Sequence, residues 1–272
     1  LLLKSDGSLV GSAGLEIPQG DIGDIFTDIA ANNSNLLALT SDGEIIITGT
    51  NDLANGVPLG TGFSDIAISS TYGLAINDLG EIEGWGEDWA PGFSTVTDIP
   101  TGNNFIAVEA SNFYAVAIKS DGSLEAWGDN YGGRTDVPSD LNFTKVALGY
   151  RHGIALKSDG SLVHWGSQSS DVDLVPEGND FIDIASGYDF SLALKSDGTL
   201  LAWGLNHDGQ TDIPVNIGQV VNLPNSYLGN QSYALGISGE NSWGGTPLIP
   251  VLNIENLYEP NSGVNITIDA TP

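Results

Sequence analysis

The chain has 272 residues, with seven Lys plus Arg against 35 Asp plus Glu and a net charge of −28. Neutralising phosphates requires clustered cations, so nucleic acids and anionic membranes are excluded as partners. The absence of cysteine removes disulfides, thiol nucleophiles and thiolate metal sites, while 40% hydrophobic residues suffice for the core of a single all-β domain.

The chain opens on a hairpin, residues 1–12, turning at Ser5-Asp6-Gly7. Its apolar start is too short for a signal peptide, no later run approaches the ~18 apolar residues of a membrane span, and with no Met the chain reads as a processed product or part of a longer one. Ser-Asp-Gly returns at 41–43, 120–122, 158–160 and 196–198, with a degenerate Asn77-Asp78-Leu79-Gly80, so the turn glycines fall 36 to 42 residues apart. Trp-Gly follows at 85–86, 127–128, 165–166, 203–204 and 243–244, the last within a seventh, shorter hairpin. An aliphatic residue and a proline close each unit: Ile17-Pro18, Val57-Pro58, Ile99-Pro100, Val137-Pro138, Val175-Pro176, Ile213-Pro214 and Ile249-Pro250.

Each unit reads as four short strands, most cleanly at 181–214. Phe181–Ala185 is a β-type run, Leu192–Lys195 alternates, Asp197-Gly198 supplies the φ > 0 positions of a tight turn, and Leu200–Trp203 returns. Proline cannot donate to a ladder, which places the fourth strand at the outer edge. Four-stranded units of about 40 residues in an all-β chain predict a β-propeller. First strands precede hairpins two to seven at 26–31, 63–68, 105–110, 143–148, 181–186 and 220–225. The first hairpin has none, whereas 251–256 stands after the last Ile-Pro, so this strand is expected to complete blade one. The expectation is a seven-bladed propeller over 1–256, closed at the seam. Residues 257–272, including a surplus strand at 264–269, form a C-terminal extension that reinforces the seam or serves as an attachment arm.

Antiparallel alternation puts the Ser-Asp-Gly turns and the inter-blade linkers on one face and the other loops opposite. On the turn face, Lys4, Lys119, Lys157 and Lys195 are expected to pair with Asp6, Asp121, Asp159 and Asp197 as solvated ion pairs. The opposite face carries Tyr72, Phe113, Tyr114, Tyr150, Tyr188, Phe190 and Tyr227 in its first loop set, with Arg151 and Asp189 beside them. Its second loop set carries Trp89, Asn130, Tyr131 and His207. Rings that are inexpensive to order anchor protein interfaces, which makes these residues candidate partner contacts; the competing reading packs half of them between blades. Trp85, Trp127, Trp165, Trp203 and Trp243 recur in register and read as interblade core.

The Ser-Asp-Gly, Trp-Gly and aliphatic-Pro signals in fixed order resemble the repeats of the regulator-of-chromosome-condensation (RCC1-like) propeller family over residues 1–256. Their compactness is most similar to its secreted bacterial members, such as the second β-lactamase inhibitory protein of streptomycetes. The resemblance implies a rigid ring that binds a protein through loops on one face, and carried over by position it favours Phe113, Tyr131, Tyr150, Tyr188 and Asp189 as contacts. The basic tail and surface of the nuclear namesake are missing here.

His152, His164 and His207 lie on different repeats without ligand spacing, and no nucleophile elbow, phosphate loop, dinucleotide fingerprint or calcium loop is present. No catalytic residue, metal or cofactor is therefore expected. The leading reading is a non-enzymatic protein-binding propeller, extracellular, at a cell surface or on a virion. Rival readings are a structural subunit of a virion, filament or surface layer, attached through 257–272, and a carbohydrate-active enzyme with carboxylates at the channel mouth.

Overall fold

The Ser-Asp-Gly turns set the geometry of the hairpins. The structure, a computed structural model, describes residues 2–3, 9–10, 25–32, 35–49, 53, 56–87, 98–166, 174–206, 209–213, 223, 251–252 and 268–269. At one turn the Gly122 N–H donates to Lys119 O (2.8 Å) and the Lys119 N–H to Ser123 O (2.9 Å). Gly122 alone takes a left-handed φ, +78°, where an Asp-Gly pair was expected to, so the loop is a type I turn followed by a left-handed glycine. Asp121 Oδ1 accepts both the Ser123 N–H (2.9 Å) and its hydroxyl (2.7 Å), and Asp159 does the same with Ser161. These bonds, the hydroxyl's first, hold both exposed carboxyls below their usual range.

The expected pairs of Lys119, Lys157 and Lys195 with Asp121, Asp159 and Asp197 are accordingly corrected, while Lys4 and Asp6 lie outside the described residues. Each of these three turn carboxylates is occupied by its own Ser or Thr, and the lysines reach elsewhere: Lys119 to Glu125, Lys157 to Asp140 (2.6 Å) and Lys195 to Asp180 (3.1 Å). The same ammonium groups sit over Phe105, Phe143 and Phe181, their cross-strand neighbours.

The strands run in chain order. β1 (Leu2–Leu3) and β2 (Leu9–Val10) form a two-stranded sheet. Five antiparallel sheets follow: β3 (Phe26–Ala31), β4 (Asn35–Thr40) and β5 (Ile45–Gly49); β6 (Asp65–Ile68), β7 (Tyr72–Ile76) and β8 (Ile82–Gly86); β9 (Phe105–Ala110), β10 (Tyr114–Lys119) and β11 (Leu124–Gly128). The fourth holds β12 (Phe143–Leu148), β13 (His152–Lys157) and β14 (Leu162–Gly166), and the fifth β15 (Phe181–Ser186), β16 (Phe190–Lys195) and β17 (Leu200–Gly204). β18 (Val251–Leu252) pairs with β19 (Ile268–Asp269). That pairing joins the 251–256 segment to the surplus strand; the rest of both segments lies outside the described residues.

Each of the five sheets has three strands where four were expected. The aliphatic-Pro segments follow the sheets without entering a ladder: Val57, Ile99, Val137 and Ile213 pack, partly buried, against successive core clusters. A proline offers no N–H to extend a ladder, so these segments are held by packing together with local turn hydrogen bonds, such as Thr135 N–H to Asn130 Oδ1 and Thr211 N–H to Asn206 Oδ1 (both 2.9 Å).

The middle strands β4, β7, β10, β13 and β16 are buried almost throughout, because neighbouring sheets cover both of their faces. The first strands of successive sheets lie beside one another, β3 by β6, β6 by β9, β9 by β12 and β12 by β15, and so surround a common axis. Hydrophobic clusters fill the seams, with Trp85, Trp127, Trp165 and Trp203 each packed against the preceding sheet. At Gly86, φ is +96° and an added Cβ would come within 2.4 Å of Thr71 O, which accounts for the glycine that follows the tryptophan.

Candidate functional site

The turns between first and middle strands share one form. Ser111 N–H donates to Tyr114 O (2.9 Å), Gly149 N–H to His152 O (2.7 Å) and Gly187 N–H to Phe190 O (2.9 Å). Each turn lifts two residues outward: Ser70-Thr71, Asn112-Phe113, Tyr150-Arg151 and Tyr188-Asp189 in the second to fifth sheets. The residue after each pair begins the middle strand and turns inward. Tyr72, Tyr114 and Phe190 occupy that inward position and are buried, which corrects their assignment as partner contacts. Tyr72 OH instead donates to Ser111 O and Tyr114 O (3.1 Å), and Tyr114 OH to Gly149 O (3.1 Å) and His152 O (2.6 Å), tying each turn to its neighbour. His152 fills the same position, bonded to Ser191 Oγ at 2.9 Å, and burial holds it neutral with its pKa pulled down to about 3.

The outward residues of the third to fifth sheets converge. Tyr150 and Tyr188 stack with centroids 4.1 Å apart and planes 12° from parallel, and Phe113 meets Tyr150 edge-on at 5.2 Å. The Tyr150 N–H donates to Tyr188 O (2.9 Å), so the backbone fixes the spacing as well. Arg151 is exposed over Tyr150 and Tyr131, and Tyr131, on a one-turn 3-10 helix over Tyr131–Gly133, is 63% exposed. Desolvation, then the hydrogen bond and charge of Tyr150, push the Tyr188 phenol up to about 12, so it remains a neutral donor. Half-buried Asp189 is raised by desolvation and lowered by Arg151. Phe113, Tyr131, Tyr150, Arg151, Tyr188 and Asp189 thus form one patch; Trp89, His207 and Tyr227 lie outside the described residues.

Beneath the rings is Arg134, which residue-type reasoning passed over. Its buried guanidinium lies 4.8 Å from the Phe113 centroid, donates to Tyr150 O (3.0 Å) and Asp129 O (2.8 Å), and pairs with the Asp129 carboxylate. A planar cation stacks on aromatic faces while its fork of donors stays satisfied, which is the behaviour of arginine rather than lysine. The available signal was its rarity, one of two arginines in the chain, 17 residues before the other.

A second cluster lines the common axis. A cavity of about 400 Å³ is bounded by the first strands of all five sheets. Asp28, Asp65, Lys145 and Asp183 recur at the third position of their first-strand segments, with Ala107 as the exception, and Glu109 enters two residues later. Bulges at Phe26/Asp28, Phe143/Lys145 and Phe181/Asp183 set where these side chains emerge. Lys145 pairs with Asp183. Asp65 Oδ2 accepts the Val108 N–H of the next sheet at 2.6 Å. Burial first, then the charge of Asp28, pushes the Asp65 carboxyl up to about 8 against its N–H bonds and Lys145. Burial likewise raises Glu109 well above the usual range, opposed by Lys145. Aligning the first strands by repeat exposes this cluster in the sequence, although alignment alone does not reveal which way a bulged residue faces.

The Regulator of chromosome condensation (RCC1) repeat family matches over residues 143–171 and 181–210, the units of the fourth and fifth sheets. No curated protein matches the chain. Among solved structures, Prp20p from Saccharomyces cerevisiae, described with its binding properties to Gsp1p and histones, aligns at a TM-score of 0.55 and 19% identity. That alignment covers 70% of this chain but 60% of Prp20p, less than two thirds of its length. Human WBSCR16 aligns at 0.57 and 18% identity, covering 75% and 70% of the two chains. The CRINKLY WD40 ectodomain of the Arabidopsis thaliana receptor kinase ACR4 aligns at 0.54 and 18%, covering 72% and 71%. The repeat match and these likenesses establish an RCC1-like β-propeller fold.

Proposed function

We propose that this RCC1-like propeller is a non-enzymatic protein-binding module whose partner docks on Phe113, Tyr150 and Tyr188, with Tyr131, Arg151 and Asp189 at the rim. The observation that carries the reading is the Tyr150–Tyr188 stack, partly exposed yet fixed by a backbone bond across two blades and underlain by a buried arginine. Interfaces draw their affinity from a few rigid aromatic anchors, and rings already ordered lose little entropy on binding. Prp20p, described as binding Gsp1p and histones, supports protein rather than small-molecule recognition for a propeller of this kind. The proposal extends to a seven-bladed ring over 1–256 closed at its seam, of the compact secreted type, working outside the cell or displayed on a surface. Acidity and absent cysteine support that location.

The test is cross-linking mass spectrometry on native source material with a carboxylate-reactive reagent, which reaches both faces of a chain so poor in lysine. Cross-links at Asp129, Asp136 and Asp189, the carboxylates beside these rings, are expected, to one soluble protein. With that partner in hand, Tyr150→Ala and Tyr188→Ala should each weaken affinity about tenfold or more while the fold is kept. Unchanged affinity in both variants sinks the reading. Stoichiometric cross-links through 257–272 to a repeating coat or filament protein would replace it with a structural subunit.

A further inference from the structure

Two loops of the aromatic face share one frame and differ in the residues nearest the rings. The loop after β11 reads Asp129-Asn130-Tyr131-Gly132-Gly133-Arg134-Thr135-Asp136, and the loop after β17 reads Leu205-Asn206-His207-Asp208-Gly209-Gln210-Thr211-Asp212. In both, the asparagine amide donates to Oδ1 of the last aspartate, and the asparagine oxygen accepts the threonine N–H, all at 2.9 Å. Gly133 and Gly209 each take a φ of +79°, and their carbonyls accept the N–H of Asp136 (3.0 Å) and Asp212 (3.1 Å). Asp129 and Leu205 each donate their N–H to the turn beside them, at Phe113 O and Asp189 O (2.8 Å). The frame therefore needs neither the arginine nor its carboxylate partner, since Gln210 and Leu205 stand in those two places.

Burying an ion pair costs desolvation that mutual attraction offsets only in good geometry. A pair that the loop can form without must act on something outside the loop, and the neighbouring turns differ accordingly. Beside Arg134 the turn presents a ring, Phe113, where beside Gln210 it presents Asp189. The buried guanidinium lies 4.8 Å from the Phe113 centroid and 5.9 Å from that of Tyr150, and donates to Tyr150 O (3.0 Å), while the Asp129 carboxylate pairs with it. One side chain thus joins a ring of the third sheet to a turn of the fourth. Lysine has no planar face to stack and no fork of donors to divide between two acceptors.

We propose that Arg134 is the positioning residue of the aromatic face: paired with Asp129, it holds Phe113 and Tyr150 in the arrangement the partner meets, and it serves affinity rather than the folding of its loop. This role rests on the aromatic face being the docking surface, but its geometric half is measurable without a partner.

The test is NMR of the full chain carrying Asp129→Leu and Arg134→Gln together, the residues of the second loop. Replacing both members avoids stranding a buried charge. The ring-proton shifts of Phe113 and Tyr150, displaced by edge-on and stacked packing, should collapse toward random-coil values. The Trp165 indole N–H, which donates to the main-chain oxygen of residue 134 (2.8 Å), should keep its shift and so report the loop in place. Affinity for the partner identified by cross-linking should fall about tenfold or more, and adding Tyr150→Ala should cost less than it does in the parent. Arg134→Lys, which keeps the charge, should show the same two changes, and it carries the test if the double variant fails to fold. Unmoved ring shifts would overturn the positioning role. So would unchanged affinity in a variant with loosened rings while Tyr150→Ala still weakens binding, a result that leaves the docking face intact. Loss of the Trp165 signal in both variants would make the pair a folding element instead. Affinity indifferent to Tyr150→Ala as well would remove the docking face and its positioning residue together.

Discussion

Asp65 is a carboxyl that the fold prefers to keep protonated. It lines the cavity while protein surrounds it, and Asp28 adds a like charge, so its pKa rises from 3.8 to about 8. Between those values the folded chain binds a proton that the unfolded chain has lost. Stability must then fall as pH rises through that window, and Glu109 contributes with the same sign. Asp121, Asp159 and Asp197 act oppositely, since their depressed values make stability fall only as pH drops below the unfolded value. Urea unfolding at pH 5, 7 and 9 should show the chain most stable at pH 5. Asp65→Asn, whose amide oxygen can still accept the Val108 N–H, should flatten part of that slope, Glu109 keeping the rest, and be the more stable protein at pH 9. Parallel profiles for variant and parent would show that the carboxyl is ionised in the fold.

At the scale of the strand, the tryptophan needs a small residue opposite it. Trp165 pairs with Gly153, where an added Cβ would stand 2.1 Å from a ring carbon, and Trp85 overlies Gly73 in the same way at 2.2 Å. Gly153→Ala should lower stability by about 1–3 kcal/mol through overpacking, roughly 2–4 °C in Tm per kcal/mol for a chain of this size. The cost should shrink in a Trp165→Phe background, where the smaller ring leaves room. Additive losses in the double mutant would detach the penalty from this contact.

The same elements show how far the sequence could be read. The repeated turns and Trp-Gly pairs are local signals, and the hairpins they predict are present among the described residues; the seventh, with Trp243, lies outside them. Four strands were read from each repeat unit, with the proline placing the fourth at the outer edge, whereas the aliphatic-Pro segments lie on the core clusters without a ladder. Tyr72 and Tyr150 look alike by residue type but sit two repeat positions apart, the first opening a strand and the second in the turn before one, so one is buried and the other outward. Only the register of the strand start separates them. Arg134 was hidden because its role depends on rings contributed by two other turns.

Over the whole molecule, like charge outweighs paired charge. Lys119, Arg134, Lys145, Lys157 and Lys195 each have a carboxylate partner, so five of the seven basic residues neutralise at most five of 35 acidic ones. Apart from the Arg134 and Lys145 pairs these bridges are partly exposed and worth at most about 1 kcal/mol each, which salt weakens further. The repulsion acts over longer distances, and salt weakens that as well, as the Debye length shortens from about 30 Å at 0.01 M to about 10 Å at 0.1 M. The larger quantity should govern the response. Raising NaCl from 10 to 200 mM at pH 8 is expected to stabilise the chain by about 1 kcal/mol, roughly 3 °C in Tm. The gain should vanish near pH 4, close to the sequence pI of 4.1, where protonation has already removed the excess charge. A Tm that falls with salt at pH 8 would mean that the few bridges outweigh the surplus of carboxylates. A gain that persists undiminished at pH 4 would assign it to salting-out of apolar surface instead.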